Sequence, residues 1–485
     1  MIRSLTVIHA LGMMLILFSL TYLFPIITSL IYQDGTLVDF LWSMLMTFLS
    51  GALMWVVTRR FKGELSIRHG YLLVVVMWTA IPAFATLPLL MVLPSLSFTD
   101  AYFETMSGLT TTGATVLTGL DSMPEAINMW RHELNWLGGM GIIVLAVAIM
   151  PLLGIGGRQL YKAETPGPMK DSTLTPRITE TARNLWLVYL GITIACIVSL
   201  KVAGMNWFDA VCHAFATMGL GGFSTHDASV GFFNSPAIEI VLIVFMLLAA
   251  MNFATHFLVW REKNLKLYLH ETEGIATVLV VLVSCVGIGF FLWWQGVYPS
   301  FWTALRHASF NLVSLATDCG FASEDFNKWP IFAPLWMLFL SCIVASSGST
   351  GGGIKMIRTI ILFKQAGREF RKLLHPSVIN PMKIGGHVIP NNIVFSVLGF
   401  IFLYFMSVVI LTFALLISGL DFISAFSAII ACINNAGPGL GVVGPAGNYG
   451  VLNDFQTWVC TVAMLIGRLE IITLLIIFTP KFWQR

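Results

Sequence analysis

Charge is what this sequence lacks most. Asp, Glu, Lys and Arg make up 11% of its 485 residues, where about a quarter is usual in a soluble domain. So few charges cannot cover a soluble surface of this size. The 27 basic and 24 acidic side chains leave a net charge of +3, with no basic face or tail, which excludes a nucleic-acid partner. Cysteine is sparse too: seven residues, at 196, 212, 285, 319, 342, 432 and 460, mostly inside apolar stretches and without C-x-x-C or metal-type spacing. Neither a disulfide framework nor a zinc site is indicated. A small-residue cleavage site is absent from the N-terminal apolar segment, which reads as a retained helix. No acid–base or nucleophile constellation is visible, so an enzyme is the least favoured class.

Apolar residues are abundant instead, at 57% of the chain, against roughly 45–50% in ordinary domains. A helix needs about 20 mainly apolar residues to cross a bilayer. Ten such stretches lie near 5–32, 38–57, 71–96, 135–155, 185–204, 237–260, 275–298, 330–362, 392–419 and 456–480. Four shorter ones, near 101–110, 207–218, 301–316 and 421–433, cannot cross. They read as re-entrant half-spans, or alternatively as extramembrane helices. Basic residues crowd every second loop: Arg59, Arg60, Lys62 and Arg68, then Arg158, Lys162, Lys170, Arg177 and Arg183, then Arg261, Lys263 and Lys266. Lys355, Arg358, Lys364, Arg368, Arg371, Lys372 and Lys383 continue the alternation. The other loops carry acids such as Asp34, Asp100, Asp121, Asp209, Asp227, Glu324 and Asp421. By the positive-inside rule both termini are cytoplasmic and the half-spans lie on the outer side of a lipid membrane.

The half-spans form a repeat. The first runs from Asp100-Ala101 to Thr110-Thr111-Thr112-Gly113, and the second from Asp209-Ala210 to Leu220-Gly221-Gly222-Phe223. The third runs from Thr303-Ala304 to Asp318-Cys319-Gly320-Phe321, and the fourth from Ser424-Ala425 to Asn434-Asn435-Ala436-Gly437. Alanine to glycine is 12 residues in three of them and 16 in the third, about one helical turn longer. Successive glycines are 109, 98 and 117 residues apart, so the unit is helix, half-helix, extended loop, helix, four times over. Irregular backbone at membrane depth is tolerated only where it is buried in protein or lines a water-filled path. Four such loops around one axis can replace the hydration shell of a cation with carbonyl oxygens. The partially negative carboxyl ends of the half-helices favour a monovalent cation there. One glycine alone would be a packing or turn residue; four in register point to a pore.

This pattern resembles the Trk/Ktr/HKT superfamily of potassium transporters, and above all its bacterial TrkH membrane subunits, over about residues 70–480. The resemblance implies an all-α integral membrane protein. Four tandem membrane–pore–membrane repeats would surround a central pore, with two additional N-terminal transmembrane helices. The divisions would be 1–69 for that extension, then 70–160, 161–262, 263–375 (with the gating loop) and 376–485 for the repeats. The K⁺ filter would comprise Thr111, Thr112 and Gly113; Leu220, Gly221 and Gly222; Asp318, Cys319 and Gly320; and Asn435, Ala436 and Gly437. Of these, only the first approaches the Thr-Val-Gly of potassium channels. K⁺ would be the transported ion. A bacterial inner-membrane location, a homodimer and a cytosolic nucleotide-binding regulatory subunit of the TrkA type are implied as well.

Two further features fit the family. The eighth span is interrupted at Ser346-Ser347-Gly348-Ser349-Thr350-Gly351-Gly352-Gly353, a composition that disfavours helix by up to about 1 kcal/mol per glycine. A phosphate loop would need Lys-Ser or Lys-Thr where this chain has Ile354-Lys355. A plain kink is the simple alternative; the resemblance makes it an intramembrane gating loop. Arg468 interrupts the last span, and an arginine at that depth marks a functional site by default. It matches the family's pore-side basic residue, with an ion pair to Glu470 or a neighbouring helix as the other reading. His213 and His307, at matching half-helix positions, read as structural. A sodium-permeable or K⁺/Na⁺-coupled member of the same fold is the closest rival. A solute carrier with discontinuous helices suits the broken span but not the four glycine-ended half-spans.

Overall fold

The computed structural model describes residues 2–61, 67–141, 178–378 and 380–484. Among these the chain is helical, apart from a short ladder in which β1 (Lys383–Ile384) pairs antiparallel with β2 (His387–Val388). The N-terminal pair, α1 (Leu5–Tyr32) and α2 (Leu37–Thr58), crosses at two glycines. A β-carbon on Gly12 would lie 2.8 Å from the Gly51 carbonyl oxygen, and one on Gly51 would lie 2.7 Å from that of Gly12. Small residues permit such an approach where lipid leaves little hydrophobic drive between helices. Tyr22 fixes the pair to the first repeat: its hydroxyl donates to the Phe84 carbonyl at 2.9 Å and its ring stacks on Trp130 at 4.4 Å.

Each repeat then runs long span, half-helix, extended strand and a second helix. The first contains α3 (Arg68–Val92), the half-helix α4 (Phe98–Leu109) and α5 (Glu125–Trp136). The second contains α6 (Ile178–Val202), the half-helix α7 (Trp207–Gly219), α8 (Pro236–Ala250) and α9 (Phe253–Glu262). The third contains α10 (Thr272–Trp294), the half-helix α11 (Phe301–Ala316), α12 (Phe332–Ile343) and α13 (Met356–Leu374). The fourth contains α14 (Asn391–Ile417), the half-helix α15 (Phe422–Asn434), α16 (Asp454–Arg468) and α17 (Ile471–Phe478). The half-helices have 12, 13, 16 and 13 residues, the third longest as its spacing requires.

Local chemistry starts each half-helix in the same place. Ser97, Asn206, Ser300 and Asp421 are N-caps whose side chains accept a backbone N–H from the first turn. The alanine that opens each repeat motif, at 101, 210, 304 and 425, is 0% exposed, which is why a larger residue does not stand there. On the outer faces apolar side chains point away from the protein, as at Leu53, Val283, Phe395 and Phe402. Together with the six helices among the described residues that are long and apolar enough to cross a bilayer, this is a multi-pass membrane protein.

Among the described residues, three of the ten expected spans are not straight crossings. Residues 237–260 and 456–480 read as continuous apolar runs, but α8 and α9 meet at 97° and α16 and α17 at 110°. Hydropathy counts apolar residues and is blind to direction. The turns are made by Asn252, whose side chain caps α9 by accepting the Ala254 N–H, and by Glu470 at φ 56°. The third break, the one the glycines announce, lies between Ile343 and Met356. Most of the expected span at 135–155 lies outside the described residues, as do Arg158, Lys162, Lys170 and Arg177.

Candidate functional site

All four half-helices end with one backbone motif. The N–H groups of Thr112, Gly221, Cys319 and Ala436 reach back five residues, to the carbonyls of Ser107, Ala216, Ser314 and Ala431, at 2.8–2.9 Å. The residue before each has a left-handed backbone: Thr111 at φ 58°, Leu220 at 54°, Asp318 at 65° and Asn435 at 59°. A helix C-cap of this kind usually takes Gly or Asn. One residue further on, Gly113, Gly222, Gly320 and Gly437 return to positive φ, while the residue between does not. Alternating the sign of φ turns successive carbonyls toward the same side of a strand.

The four strands meet head to tail. A β-carbon on Gly113 would collide with the Gly221 carbonyl oxygen, and one on Gly222 with that of Cys319. On Gly320 it would lie 2.6 Å from the Ala436 oxygen, and on Gly437 2.7 Å from the Thr112 oxygen. Each glycine thus faces the carbonyl preceding the next repeat's glycine, and the fourth returns to the first. Hydrogen bonds stitch every neighbouring pair. Arg131 donates to the Ser224 carbonyl at 3.2 Å, Gly231 N–H to Ala322 at 3.1 Å, Asn327 to Gly441 at 3.2 Å and Tyr449 N–H to Thr115 at 2.9 Å. A cavity of about 90 Å³ is lined by all four glycines and, beyond them, by His226 and Asp227.

Behind the ring, one buried polar side chain from each half-helix holds the strand that leaves it. Glu104 accepts from Thr115 Oγ1 at 2.9 Å and from the Val116 N–H at 2.9 Å, and pairs with Arg131 at 2.8 Å. His213 Nε2 meets Ser224 Oγ at 3.0 Å. Asn311 donates to Ser323 Oγ at 3.0 Å and accepts the Ser323 N–H, and Ser427 Oγ accepts the Leu440 N–H at 2.8 Å. Arg131 lies over Phe223 at 4.3 Å, so the first repeat's ion pair also braces the second.

The sequence pattern described as TrkH, Cation transport protein, matches residues 38–485. The chain belongs to the TrkH family. It is 45% identical over 479 residues to the Trk system potassium uptake protein TrkH of Salmonella typhimurium, covering 98% of each. To the Trk system potassium uptake protein TrkG of Escherichia coli it is 39% identical over 479 residues, 99% of this chain and 98% of the other. The crystal structure of the potassium transporter TrkH from Vibrio parahaemolyticus matches with a TM-score of 0.89 at 44% identity, over 99% of both chains. This is a family of transporters, and the TrkH-family chain is not an enzyme.

Directly beneath the ring the TrkH-family chain places the glycine-rich segment. Thr350 Oγ1 donates to the Met218 carbonyl at 3.1 Å, and the Gly352 N–H donates to Asp318 Oδ2 at 3.1 Å. A β-carbon on Gly352 would overlap the Asn434 carbonyl, so this glycine is fixed by close approach to the fourth half-helix. Gly348 and Gly353 both have positive φ, while Ser349 Oγ donates to the Ser346 carbonyl at 2.6 Å. Arg468 donates to Thr111 Oγ1 at 3.3 Å, to the Thr350 carbonyl at 2.9 Å and to the carbonyls of Gly138 and Gly139. Glu470 binds Arg358 at 2.8 Å. The structure therefore brings Arg468, the segment and the first strand of the ring together.

Glu104, Arg131 and Lys355 are the side chains that sequence reasoning passed over as site members. The signal was available for the first two. Both are charges within or beside apolar stretches, and the argument that singled out Arg468 applies equally to them. His213 and His307 are held structurally, His213 between the Asp209 carbonyl and Ser224, and His307 stacked on Tyr298 at 5.2 Å.

Proposed function

We propose that the chain conducts potassium ions into the cell across a bacterial inner membrane, along a channel-like path through the ring. The observation that carries this reading is the closed head-to-tail contact of Gly113, Gly222, Gly320 and Gly437 with their neighbours' carbonyls. In this reading Thr111, Thr112, Gly113, Leu220, Gly221, Gly222, Asp318, Cys319, Gly320, Asn435, Ala436 and Gly437 form the filter. Their carbonyls stand in for water around a weakly hydrated monovalent cation, and the half-helix carboxyl ends add a favourable field. Residues 348–353 block the path below it, with Arg468 as their cationic support. The relatives' names, which specify potassium uptake in a Trk system, support the choice of ion.

The same reading takes both termini as cytoplasmic and the repeats as divided near residues 70, 161, 263 and 376. A homodimer and a cytosolic nucleotide-binding regulator of the TrkA type complete the assembly, the regulator pulling on the segment through α13. The test is flux of K⁺, Rb⁺, Na⁺ and Li⁺ into liposomes carrying the purified protein. K⁺ and Rb⁺ should pass well ahead of Na⁺ and Li⁺. Equal passage of Na⁺ would favour the sodium-permeable alternative, and flux strictly dependent on a second ion would favour coupled transport.

A further inference from the structure

Three consecutive residues of the glycine-rich segment are each held by a different charged side chain. Arg468 donates to the Thr350 carbonyl, the Lys355 ammonium donates to the Gly351 carbonyl, and Asp318 accepts the Gly352 N–H. Arg468 and Lys355 grip carbonyls, as cations do at any loop. Asp318 is different, because it belongs to the ring. It fills the left-handed position that holds Thr111, Leu220 and Asn435 in the other strands, where no side chain is charged. It is 0% exposed, and its Oδ1 has no hydrogen-bond partner among the described residues. An ionised carboxylate so placed is costly unless a partner charge compensates it. Lys355, itself 4% exposed, places its ammonium on the Gly351 carbonyl, one residue from the N–H that Asp318 accepts. Lys355 also has φ 78° and ψ 144°, a conformation that a residue with a side chain adopts only under strain.

We propose that Asp318 is a positioning residue, a latch through which the third strand of the ring holds the glycine-rich segment across the path; this rests on the reading of residues 348–353 as the gate. The latch works against the strain at Lys355. Withdrawing the segment removes the Gly352 N–H and the Lys355 ammonium from Asp318 together. The freed carboxylate is then left at the inner mouth of the ring, where a passing cation neutralises it. That compensation makes withdrawal feasible, and it gives the open form an interaction that the closed form lacks. The other three strands need no such acid, since one segment blocks one path.

The experiment uses the full-length protein in liposomes, comparing wild type, Asp318→Asn, Lys355→Gln, the double variant and a deletion within 348–353. Asp318→Asn keeps the shape but loses the charge, so basal K⁺ flux should rise on the order of tenfold, the worth of a charge-assisted hydrogen bond. The K⁺/Na⁺ ratio should stay near the wild-type value in Lys355→Gln, which lies outside the proposed filter. Lys355→Gln should also raise flux. The double variant should raise it by much less than the product of the two, because the side chains act on one another. Hydrogen exchange at residues 348–355 should quicken in Asp318→Asn while the half-helices stay protected. Should Asp318→Asn yield too little protein, Lys355→Gln with the same readouts decides. If the deletion raises flux but Asp318→Asn and Lys355→Gln do not, or if their effects multiply, the latch is wrong and the gate survives. If the deletion leaves flux unchanged, gate and latch both fall.

Discussion

The half-helix ends of the four repeats and the helices that follow them obey different rules. At the ring, the four quarters share the same cap, the same alternation of φ and the same contact with a neighbour's carbonyl. Below it they diverge. The second helix turns through 97° in the second repeat and 110° in the fourth, while in the third it gives way to a glycine-rich segment between Ile343 and Met356. On the proposed reading, symmetry is kept where an ion would have to be surrounded on all sides. It is abandoned where a single obstruction would suffice and four would collide on the axis.

The sharpest way to break this contrast is to disturb one quarter of the ring. A Ser at 113 or 222 drives its side chain into a neighbouring carbonyl oxygen, whereas at 320 or 437 the clearance is 2.6–2.7 Å. Gly113→Ser and Gly222→Ser should therefore raise Na⁺ permeation relative to K⁺ the most, with Gly320→Ser and Gly437→Ser following. Unchanged ion ratios in all four would sink the filter assignment. The next effect concerns the anchors behind the ring, which share a position but not a chemistry. Glu104→Gln leaves Arg131 charged and buried, a loss of about 3–5 kcal/mol. Ser427→Ala only orphans the Leu440 N–H, a cost of about 1–3 kcal/mol. Thermal unfolding of the purified variants reads both, and equal losses would mean that the anchors are equivalent after all.

Below the ring, Arg468→Ala removes hydrogen bonds to Thr350, Gly138 and Gly139. Basal flux should rise on the order of tenfold, with the fold retained, as followed by liposome flux and melting. Loss of folded protein without any gain of flux would mark Arg468 as a structural brace instead. The smallest effect lies on the loops that follow the ring strands. Burial works against the His226 imidazolium, but hydrogen bonds to Asp209 and Asp121 outweigh it and raise its pKa above 6.5. In return, His226 holds the Asp121 carboxyl below its usual range. A raised folded pKa gives stability that is complete below the unfolded value and is lost as pH rises through the folded one. The margin of wild type over His226→Gln should thus shrink as pH rises above about 6.5, by no more than about 1 kcal/mol, because its partner Asp121 is solvent-exposed. A margin that grows with pH would overturn the pairing.

Much of the fold was legible because membrane helices and half-helices differ in length, and length is written directly in the apolar runs. The four glycines of the ring were legible for a related reason: close approach to a carbonyl excludes every other residue, so the glycine must recur. The left-handed residues before them were not. Thr111, Leu220, Asp318 and Asn435 share a backbone conformation imposed by tertiary packing and share no chemistry from which to infer it. The bends at 251–252 and 469–470 escaped for a third reason, since an apolar run looks the same whether it continues or turns. Gly348 to Gly353 exposed the one break whose loop must pack tightly against other backbone, as Gly352 does against Asn434.

The seam between the last repeat and the first has a consequence for how the chain is made. Asn435 donates to Thr112 Oγ1 at 2.9 Å across 323 residues of sequence. Contacts so distant form late, after the entropy of closing the intervening chain has been met. A nascent chain that has inserted three quarters thus holds an arc whose first and third strands still await the fourth. On the proposed reading, until the final repeat enters the bilayer there is no complete coordination shell to strip water from an ion. Unfinished copies should accordingly be inert toward the membrane potential of the cell that is still synthesising them.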